Sequence, residues 1–394
     1  MRKSGGTRGE GAKAAQAARK KKLDILICTQ EFPPRGSGIA YVAKNAADAL
    51  RCRGHNVTIC SPDGPDIARG SEWLIRKTGG LGLLWFWRGA RRACRAASHD
   101  VIWTHNPLFL RQANGGRFVH TVHTTYLQRR ASLGGMQVSP LFRLYNAAMG
   151  AVERWCYTRV RDGTFTVTSR LTAEEIRKLG VEKPPTLIRN GVDTARFRPS
   201  GDKGPLRREL GIPLRSRVFL NVGRMMPQKR QGLLIRRFGS FAGPADILII
   251  IGDGPLRREI EREATRSGRR VILAGRMAQE SLLKYYQAAD YFVMPSTYEG
   301  QPLSLLEAAA CGLIPILSAI PVFEDFIAET GIGLLVDFEG DRSPLSIKRY
   351  VEMCDRGACS KRLAAHMRRH YDWRRIAEEY ERLFLARRDE SGRR

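Results

Sequence analysis

The stretch that decides the fold, residues 217–254, reads RVFLNVGRMMPQKRQGLLIRRFGSFAGPADILIIIGDG. It begins and ends with a short run rich in β-branched and other apolar residues, and an amphipathic stretch separates the two runs. Nearly continuous apolar runs are typical of parallel strands that are covered on both faces. A strand, a helix and a second strand in this order predict a βαβ unit.

The same alternation continues in both directions almost to the ends of the chain. Ten further runs of this kind lie at 23–30, 55–60, 100–105, 118–123, 163–169, 186–192, 270–276, 291–296, 314–319 and 333–337. Longer amphipathic stretches separate most of them. Strands that alternate with helices in this way predict a doubly wound α/β protein.

The chain of 394 residues is too long for one ordinary hydrophobic core, so we expect two domains. The alternation pauses at 196–216, which is rich in Pro, Gly and charge and is interpreted as the interdomain linker. We therefore predict an N-terminal domain over 23–199 and a C-terminal domain over 200–370. Residues 371–394 contain apolar side chains at helical spacing, and we expect this helix to pack back on the N-terminal domain.

The charge of the chain favours anionic partners. Lys and Arg number 67 against 39 Asp and Glu, which gives a formal net charge of +28. Such a field attracts nucleic acid, anionic lipid head groups or phosphorylated substrates, and charge alone does not choose among them. Residues 1–22 contribute eight of the basic side chains and are predicted to form a disordered tail.

Several features predict a cytoplasmic protein. No stretch contains the roughly 18–20 uncharged apolar residues that span a bilayer. The first residues are charged and small and lack the apolar centre of a signal peptide. The eight cysteines form no C-x-x-C pair and no cluster with zinc-ligand spacing, so we expect reduced, packed thiols.

Unusual residues follow the predicted strands at their carboxyl ends, where α/β sheets bind ligands. The first strand leads into Gly36-Ser37-Gly38, which predicts a turn that opens a helix with free backbone N–H groups. Arg224 and Lys229 flank Pro227, a residue suited to the first position of a helix. Two cations beside a helix N-terminus favour a diphosphate. A tight turn and solvated surface charges are the structural alternatives.

The strand at 291–296 leads into Glu299, Gly300 and Pro302, with Glu307 inside the helix that Pro302 can start. A carboxylate beside free helix amides could hold sugar hydroxyls, and the second carboxylate could accept from ribose hydroxyls. The structural alternative is one capping Glu and one exposed helical Glu.

The order and spacing of seven motifs narrow these alternatives. They are G-S-G-I at 36–39, G-H-N-V-T-I at 54–59, N-G-V-D-T-A-R-F at 190–197, V-G-R-x5-R at 222–230, G-D-G-P-L at 252–256, Y-Y-Q-A-A-D-Y-F-V-M-P-S at 285–296 and E-G-Q-P-L-S-L-L-E-A-A-A-C-G at 299–312. Across roughly residues 23–388 this succession resembles the retaining glycosyltransferases of family four. The resemblance implies the B-type glycosyltransferase fold, in which two Rossmann-like doubly wound α/β domains face a central cleft.

The resemblance implies a nucleoside-diphosphate sugar as donor substrate, with no cofactor and no metal. Arg224 and Lys229 match the pair that neutralises the donor diphosphate, with backbone from Gly38 of the opposite domain. Glu299 matches the first Glu of the family's E-x7-E motif, a catalytic-site residue that holds donor-sugar hydroxyls. Backbone groups of the four residues after it would contribute to sugar binding: Gly300, Gln301, Pro302 and Leu303.

The resemblance also implies the remaining roles. Glu307 matches the second Glu of the motif and would bind the ribose. Arg276 and Met277 occupy the place where the backbone meets the nucleobase. His123 matches an active-site histidine near the transferred sugar, whereas His105 and His120 are interpreted as structural.

Two departures from the family pattern concern the donor. Ser37 replaces the first glycine of the usual pair after the first strand. After the strand at 314–319, where the family often has two glycines and then a Glu, Glu324 and Asp325 both remain candidates for that Glu.

The acceptor is expected to be a glycan or a lipid-linked molecule of cell-envelope glycan or glycolipid synthesis. Residues 81–97 combine Trp and Leu with Arg88, Arg92 and Arg95, which share a helix face. This face and the basic tail suit an anionic membrane surface, and an ordinary core helix is the alternative. Two other functions stay open: a sugar-nucleotide epimerase of the same fold, and a basic nucleic-acid-binding protein. The second ranks below the others because the sequence has no recognised nucleic-acid module.

Overall fold

The computed structural model describes residues 22–34, 37–96, 98–108, 117–132, 140–160 and 162–391, and only the backbone of 76, 96, 131 and 132. Residues 1–21, almost all of the expected basic tail, lie outside this range, as does residue 97 of the stretch at 81–97. Among the described helices, none is both long and apolar enough to cross a bilayer.

The first domain is built on a parallel sheet in the order β3-β2-β1-β4-β5-β6-β7. Its strands are β1 (Asp24–Cys28), β2 (Asn56–Ser61), β3 (Ile67–Ala68), β4 (Val101–His105), β5 (Phe118–Val122), β6 (Thr164–Val167) and β7 (Thr186–Leu187). The helices described between them are α1 (Gly38–Cys52), α2 (Glu72–Thr78), α3 (Gly80–Ala96), α4 (Tyr126–Ser132), α5 (Pro140–Tyr157) and α6 (Arg170–Lys178). Apolar side chains cover the sheet from both faces, as parallel strands require.

The second domain is built on a parallel sheet in the order β10-β9-β8-β11-β12-β13. Its strands are β8 (Val218–Val222), β9 (Ile247–Ile251), β10 (Val271–Gly275), β11 (Tyr291–Met294), β12 (Ile314–Ser318) and β13 (Leu334–Val336). Its helices are α7 (Gly204–Glu209), α8 (Gln231–Phe241), α9 (Arg257–Arg266), α10 (Gln279–Ala288), α11 (Leu303–Ala310), α12 (Pro321–Thr330), α13 (Ser343–Met353) and α14 (Arg356–His370). Two doubly wound parallel sheets confirm the predicted fold class.

The last helix, α15 (Trp373–Ser391), crosses back to the first domain. Tyr380 and Phe384 pack on Trp103 of β4, with ring centroids 4.3 and 5.4 Å away. Polar contacts add to this packing, because the Glu381 carboxylate lies 3.2 Å from the buried His55 ring. The end of the chain is therefore part of the first domain's core.

Two segments differ from the sequence prediction. The strand expected at 186–192 ends at Leu187, because the chain then turns away and the Val192 N–H donates to the Tyr371 carbonyl over 2.7 Å. The segment at 196–216 is not an irregular linker throughout. It contains α7, which is fixed by the buried Arg207 guanidinium, 2.7 Å from the Asp290 carboxylate.

Candidate active site

The sequence-predicted site residues lie at the carboxyl ends of strands, near the point where the strand order reverses in each sheet. Gly38 follows β1 and His123 follows β5 in the first domain. Arg224 follows β8 and Glu299 follows β11 in the second domain. In open α/β sheets this edge is where ligands bind, because helix N-termini and loops converge there.

Gly300 brings the two domains into contact. A Cβ on this residue would overlap the carbonyl oxygen of His123 and would come within 2.9 Å of the Thr124 side chain. The Gln128 side-chain amide also donates to the Glu299 carbonyl over 3.2 Å. The loop after β11 therefore lies directly against the loop after β5 of the other domain.

Gln301, the residue after Gly300, is hydrogen-bonded to Asn190 of the first domain. Its side-chain oxygen accepts from the Asn190 N–H at 2.5 Å, and its carbonyl accepts from the Asn190 side chain at 3.0 Å. Pro302 precedes α11 and has no N–H to donate. The N–H groups of Gly300 and Leu303 form no hydrogen bond with any residue that the structure describes, so they remain available to a ligand.

Lys229 and Glu299 form an ion pair, and both side chains are largely buried. Lys229 ends a 3₁₀ turn at Pro227–Lys229, and its aliphatic stem passes Gly223. Gly252 of the G-D-G motif explains how this loop is held, because a Cβ there would overlap the Gly223 carbonyl. Arg224 is exposed, and its guanidinium has no partner among the residues described. One paired cation, Lys229, therefore lies beside the carboxylate, and the unpaired Arg224 belongs to the same loop after β8.

Gly38 is the first residue of α1, and no heavy atom lies within 4 Å of the position of its missing Cβ. The preceding Ser37 caps the helix, since its side-chain oxygen accepts from the Ile39 N–H. The Ser37 N–H donates to the Glu31 carboxylate. An anion is therefore already present at this helix start, as the partial positive charge of a helix N-terminus favours.

Glu307 lies inside α11 and is almost fully buried. The Tyr286 hydroxyl donates to its carboxylate over 2.9 Å. Burial raises the pKa of Glu307 to about 7, although the Tyr286 hydrogen bond and the charge of Arg196 lower it. This carboxyl group therefore changes its ionisation near neutral pH.

Arg276 and Met277 follow β10 at the edge of the cleft. Arg276 is exposed, and its guanidinium lies 3.5 Å from the Pro34 carbonyl of the opposite domain. Met277 is half-buried against the core of the second domain. Both residues thus lie where the second domain meets the loop after β1.

His123 is buried, with 5% of its surface exposed, and burial lowers its pKa to about 4. Its Nε2 lies 2.9 Å from Nδ1 of His105, and its backbone N–H donates to the Asn106 side chain over 2.8 Å. The third histidine, His120, instead contacts the Thr104 hydroxyl at 2.7 Å. The imidazole of His123 is neutral at neutral pH.

Two buried acids support the loop that carries His123. The Tyr126 N–H donates to Glu153 over 2.8 Å, and the Thr125 hydroxyl donates to Glu175 over 2.7 Å. Burial raises the pKa of Glu153 to about 8 and that of Glu175 to about 7. Hydrogen bonds to two buried carboxyl groups, rather than exposed charges, therefore hold the loop after β5 in place.

Sequence reasoning missed several residues that hold the site together. His105 was assigned a structural role, yet it bonds the predicted active-site histidine. Asn190 and Gln128 received no role, although both bond the loop after Glu299. Asn190 begins the N-G-V-D-T-A-R-F motif, which was the only available signal. Of the two candidate acids in α12, Asp325 lies 3.7 Å from Arg170 of the first domain. Asp325 also lines a cavity between the two domains, together with Arg189 and Gln301, whereas Glu324 does not line it.

The described residues contain no group of three or more His, Cys, Asp or Glu side chains arranged to hold a metal ion. The polar groups that converge on the cleft are cations, carboxylates, helix amides and one neutral imidazole. Such a set can bind a phosphorylated, hydroxyl-rich ligand through charge-assisted hydrogen bonds.

Two family models match the chain, one in each domain. The model described as "Glycosyltransferase Family 4" matches residues 36–196, and the model described as "Glycosyl transferases group 1" matches residues 202–351. Together they cover every predicted site residue and every strand of the two sheets except β1.

Similar proteins agree with these matches. The alpha-monoglucosyldiacylglycerol synthase of Streptococcus pneumoniae is 25% identical over 81% of this chain and 76% of its own length. The structure of sucrose-phosphate synthase from Thermosynechococcus elongatus is 23% identical, with a TM-score of 0.75 over 92% of this chain and 99% of that chain. The Anabaena protein HepE, in complex with UDP and glucose, is 18% identical, with a TM-score of 0.69 over 92% and 100%. These structures share the fold of the chain.

Replacing Gly300 by Ala should open the contact between the domains. The new Cβ overlaps backbone of His123, so the two loops must separate. We expect a loss of about 1–3 kcal/mol in the free energy of unfolding in urea, with a larger radius of gyration in small-angle X-ray scattering. Gly201→Ala is the matched control, because no heavy atom lies within 4 Å of that position. Equal scattering and stability for the two variants would contradict the contact.

Proposed function

We propose that this chain, which belongs to glycosyltransferase family four, transfers a hexose from a nucleoside-diphosphate sugar to a lipid-linked or other glycan acceptor. The observation that carries this proposal is the approach of Gly300 to His123, beside the Lys229–Glu299 ion pair. This contact joins the ligand-binding edges of the two sheets. A donor sugar bound to the second domain would meet an acceptor substrate bound to the first domain there. A role in cell-envelope glycan or glycolipid synthesis follows from the lipid product named for the Streptococcus relative.

The diphosphate is assigned to Arg224, Lys229 and the N-terminus of α1 at Gly38. Arg224 is exposed and has no partner among the described residues, so binding a phosphate breaks no existing ion pair of this side chain. Lys229 is held by Glu299 and can contribute its charge without moving far. Fixed cations and helix amides stabilise the charge that develops on a departing diphosphate.

The transferred sugar is assigned to Glu299, with the N–H groups of Gly300 and Leu303. The Glu299 carboxylate has a second oxygen beyond the one that Lys229 contacts, and it can accept from sugar hydroxyls. Gln301 and Pro302 complete this loop, and the side chain of Gln301 is occupied by Asn190. Gln301 and Pro302 therefore contribute to sugar binding through the backbone conformation of the loop and not through their side chains.

The nucleoside is assigned to Glu307, Arg276 and Met277. Glu307 would accept from ribose hydroxyls, and the backbone at Arg276 and Met277 would meet the base. We assign the nucleotide sugar to the second domain and the acceptor to the first, on the His123 side. No cofactor takes part in the transfer that we propose.

The proposed reaction retains the donor's anomeric configuration. The acceptor hydroxyl oxygen forms a bond to the anomeric carbon as the bond from that carbon to the diphosphate oxygen breaks. The hydroxyl proton passes to the departing phosphate oxygen on the same face, so the products are a nucleoside diphosphate and a glycosylated acceptor. Closure of the domains around both substrates aligns them and excludes water.

We further propose that the first domain binds an anionic membrane surface from the cytoplasmic side. Helix α3, which contains most of residues 81–97, turns Leu83, Phe86 and Trp87 into the core, so these three are not available to lipid. Its exposed stripe begins with Leu81 and Trp85, which are 72% and 62% exposed. Arg88, Arg92 and Arg95 continue the stripe toward the helix end.

Two neighbouring helices also expose large apolar side chains. Gly82 of α3 is packed on the backbone of α2, which exposes 61% of Trp73. Gly79 lies against Tyr145 of α5, whose first turn exposes 76% of Leu141 and 66% of Leu144. Large apolar side chains that stay exposed near arginines suit the interface of an anionic bilayer. A lipid-linked acceptor would be reached from this surface.

Transfer is tested by incubating the protein with UDP-, GDP- and ADP-hexoses and lipid acceptors. We expect free nucleoside diphosphate to form only when an acceptor is present, whereas an epimerase would change the sugar without releasing it. Proton NMR of the product from an α-linked donor should show an α-linkage through its anomeric coupling constant. A β-linked product would overturn the retaining mechanism, and no transfer to any acceptor would overturn the proposed function.

Glu307→Gln should weaken the binding of the nucleoside diphosphate alone, whereas Glu299→Gln should lower turnover without weakening that binding, because it leaves Lys229 free for the diphosphate. With a pKa of about 7, Glu307 is partly protonated in the free protein at neutral pH. Ribose hydroxyls that donate to it favour the ionised form, so binding should release protons near pH 7. Calorimetry in buffers of different ionisation enthalpy measures this release, which Glu307→Gln should abolish. The reverse ordering of the two variants would mean that their roles are exchanged.

The double variant Leu81→Ser/Trp85→Ser should bind phosphatidylglycerol-containing vesicles at least about tenfold more weakly than the natural protein, because burying each such side chain contributes about 1.5–3 kcal/mol. Leu345→Ser/Met353→Ser is the matched control, since these residues of the second domain are 70% and 76% exposed. Binding should also weaken with salt and on phosphatidylcholine vesicles. Equal sedimentation of both double variants would exclude this surface.

A further inference from the structure

His105 and His123 form a hydrogen-bonded pair of imidazoles in the first domain. Nδ1 of His105 lies 2.9 Å from Nε2 of His123, and the two ring planes differ by 10°. His105 ends β4 and is fully buried, next to the ring of Trp103 at a centroid distance of 4.7 Å. Near-coplanar rings at this distance leave room for one proton between the two nitrogens.

The backbone fixes the two rings relative to each other. The Asn106 N–H donates to the Thr121 carbonyl over 2.8 Å, and the Asn106 side chain accepts from the His123 N–H over 2.8 Å. Asn106 adopts a φ of 46°, in the left-handed region that asparagine tolerates better than most residues. The loops after β4 and β5 are thus joined on both sides of the imidazole pair.

Both imidazoles are neutral, because burial lowers the pKa of each ring. Each ring therefore carries one N–H, and two arrangements satisfy the contact. In the first, His105 donates from Nδ1, and His123 has its own proton on Nδ1. In the second, His123 donates from Nε2, and His105 has its proton on Nε2.

The surroundings of His105 distinguish the two arrangements. Its Nε2 is buried and has no hydrogen-bond partner among the described residues. The second arrangement would leave an N–H buried there without an acceptor, which native proteins avoid more strictly than an unpaired lone pair. The first arrangement leaves only a lone pair at that position, so it is the more stable one.

We propose that His105 is a positioning residue that fixes the tautomer of His123, so that His123 offers an Nδ1–H as a hydrogen-bond donor to the transferred sugar. The nature of the ligand rests on the proposed function. Among the residues that the structure describes, none bonds Nδ1 of His123, so this nitrogen remains for the substrate. His123 then binds a sugar oxygen as a donor and takes no proton from the acceptor.

The first test needs no substrate. In the full-length protein with ¹⁵N-labelled histidine, long-range proton–nitrogen spectra distinguish protonated from unprotonated ring nitrogens, and loss of signals in His123→Gln assigns those of His123. We expect a protonated Nδ1 and an unprotonated Nε2 on His123. The opposite pattern would overturn the proposal, whatever the outcome of the transfer assay.

The second test replaces the partner. His105→Asn keeps an N–H donor near the place of Nδ1 and should preserve the tautomer of His123, whereas His105→Leu removes the donor and should mix the tautomers. We expect kcat to fall about 10- to 100-fold in His105→Leu, with nucleoside diphosphate affinity unchanged and recovery in His105→Asn. His120→Leu is the matched control, because His120 is an equally buried histidine that bonds Thr104 and not His123.

The outcomes of these tests distinguish a failure of the His105–His123 assignment from a failure of the proposed function. Unchanged nitrogen signals of His123 in a folded His105→Leu protein would overturn the positioning role. If that variant does not fold, the spectra of the natural protein and of His105→Asn still decide the tautomer. An intact tautomer together with absent transfer would contradict the proposed function and leave the assignment of the pair standing.

Discussion

The contact between Gly300 and the His123 carbonyl is the constraint on which the arrangement of the site depends. Only a residue without Cβ allows the loop after β11 to lie against the loop after β5. The residues on either side of Gly300 also form hydrogen bonds between the domains. Gln128 donates to the Glu299 carbonyl, and the Asn190 side chain donates to the Gln301 carbonyl. A carboxylate of one domain and an imidazole of the other are thereby brought to the same part of the cleft.

Electrostatics explains how the loop after β11 can hold a largely buried carboxylate. Glu299 is largely buried, and a buried carboxylate without a partner would cost several kcal/mol. Lys229 neutralises it, so the ion pair stabilises the position of the loop. A bound diphosphate would interact with the positive charge of Lys229. Sugar hydroxyls would then donate hydrogen bonds to Glu299 and replace part of its interaction with Lys229. Donor binding thus exchanges one set of charge-assisted contacts for another, rather than creating a buried charge.

Most of the fold was predictable because parallel strands covered on both faces are nearly continuous apolar runs, which β9 and β11 illustrate. Glu299 and Arg224 were found because motifs of known spacing contain them. The contacts of His105 and Gln301 could not be predicted from the sequence. They depend on which side chain each residue meets across the sheet or across the cleft. The short β7 was overestimated for the same reason: Gly191 has the Trp373 ring 2.5 Å from its missing Cβ, and a single sequence does not show that packing.

The last helix adds a second connection between the two domains. The chain passes from the first domain to the second near 197–203 and returns at 371–373, where Val192 and Asp372 form a parallel bridge. These two crossings lie side by side. Arg189–Glu329 at 2.8 Å and Arg170–Asp325 at 3.7 Å connect the domains through partly exposed charges, which water can replace at small cost. Opening the cleft therefore breaks exposed ion pairs and the Gln301 and Gln128 hydrogen bonds, while α15 keeps its buried packing on Trp103.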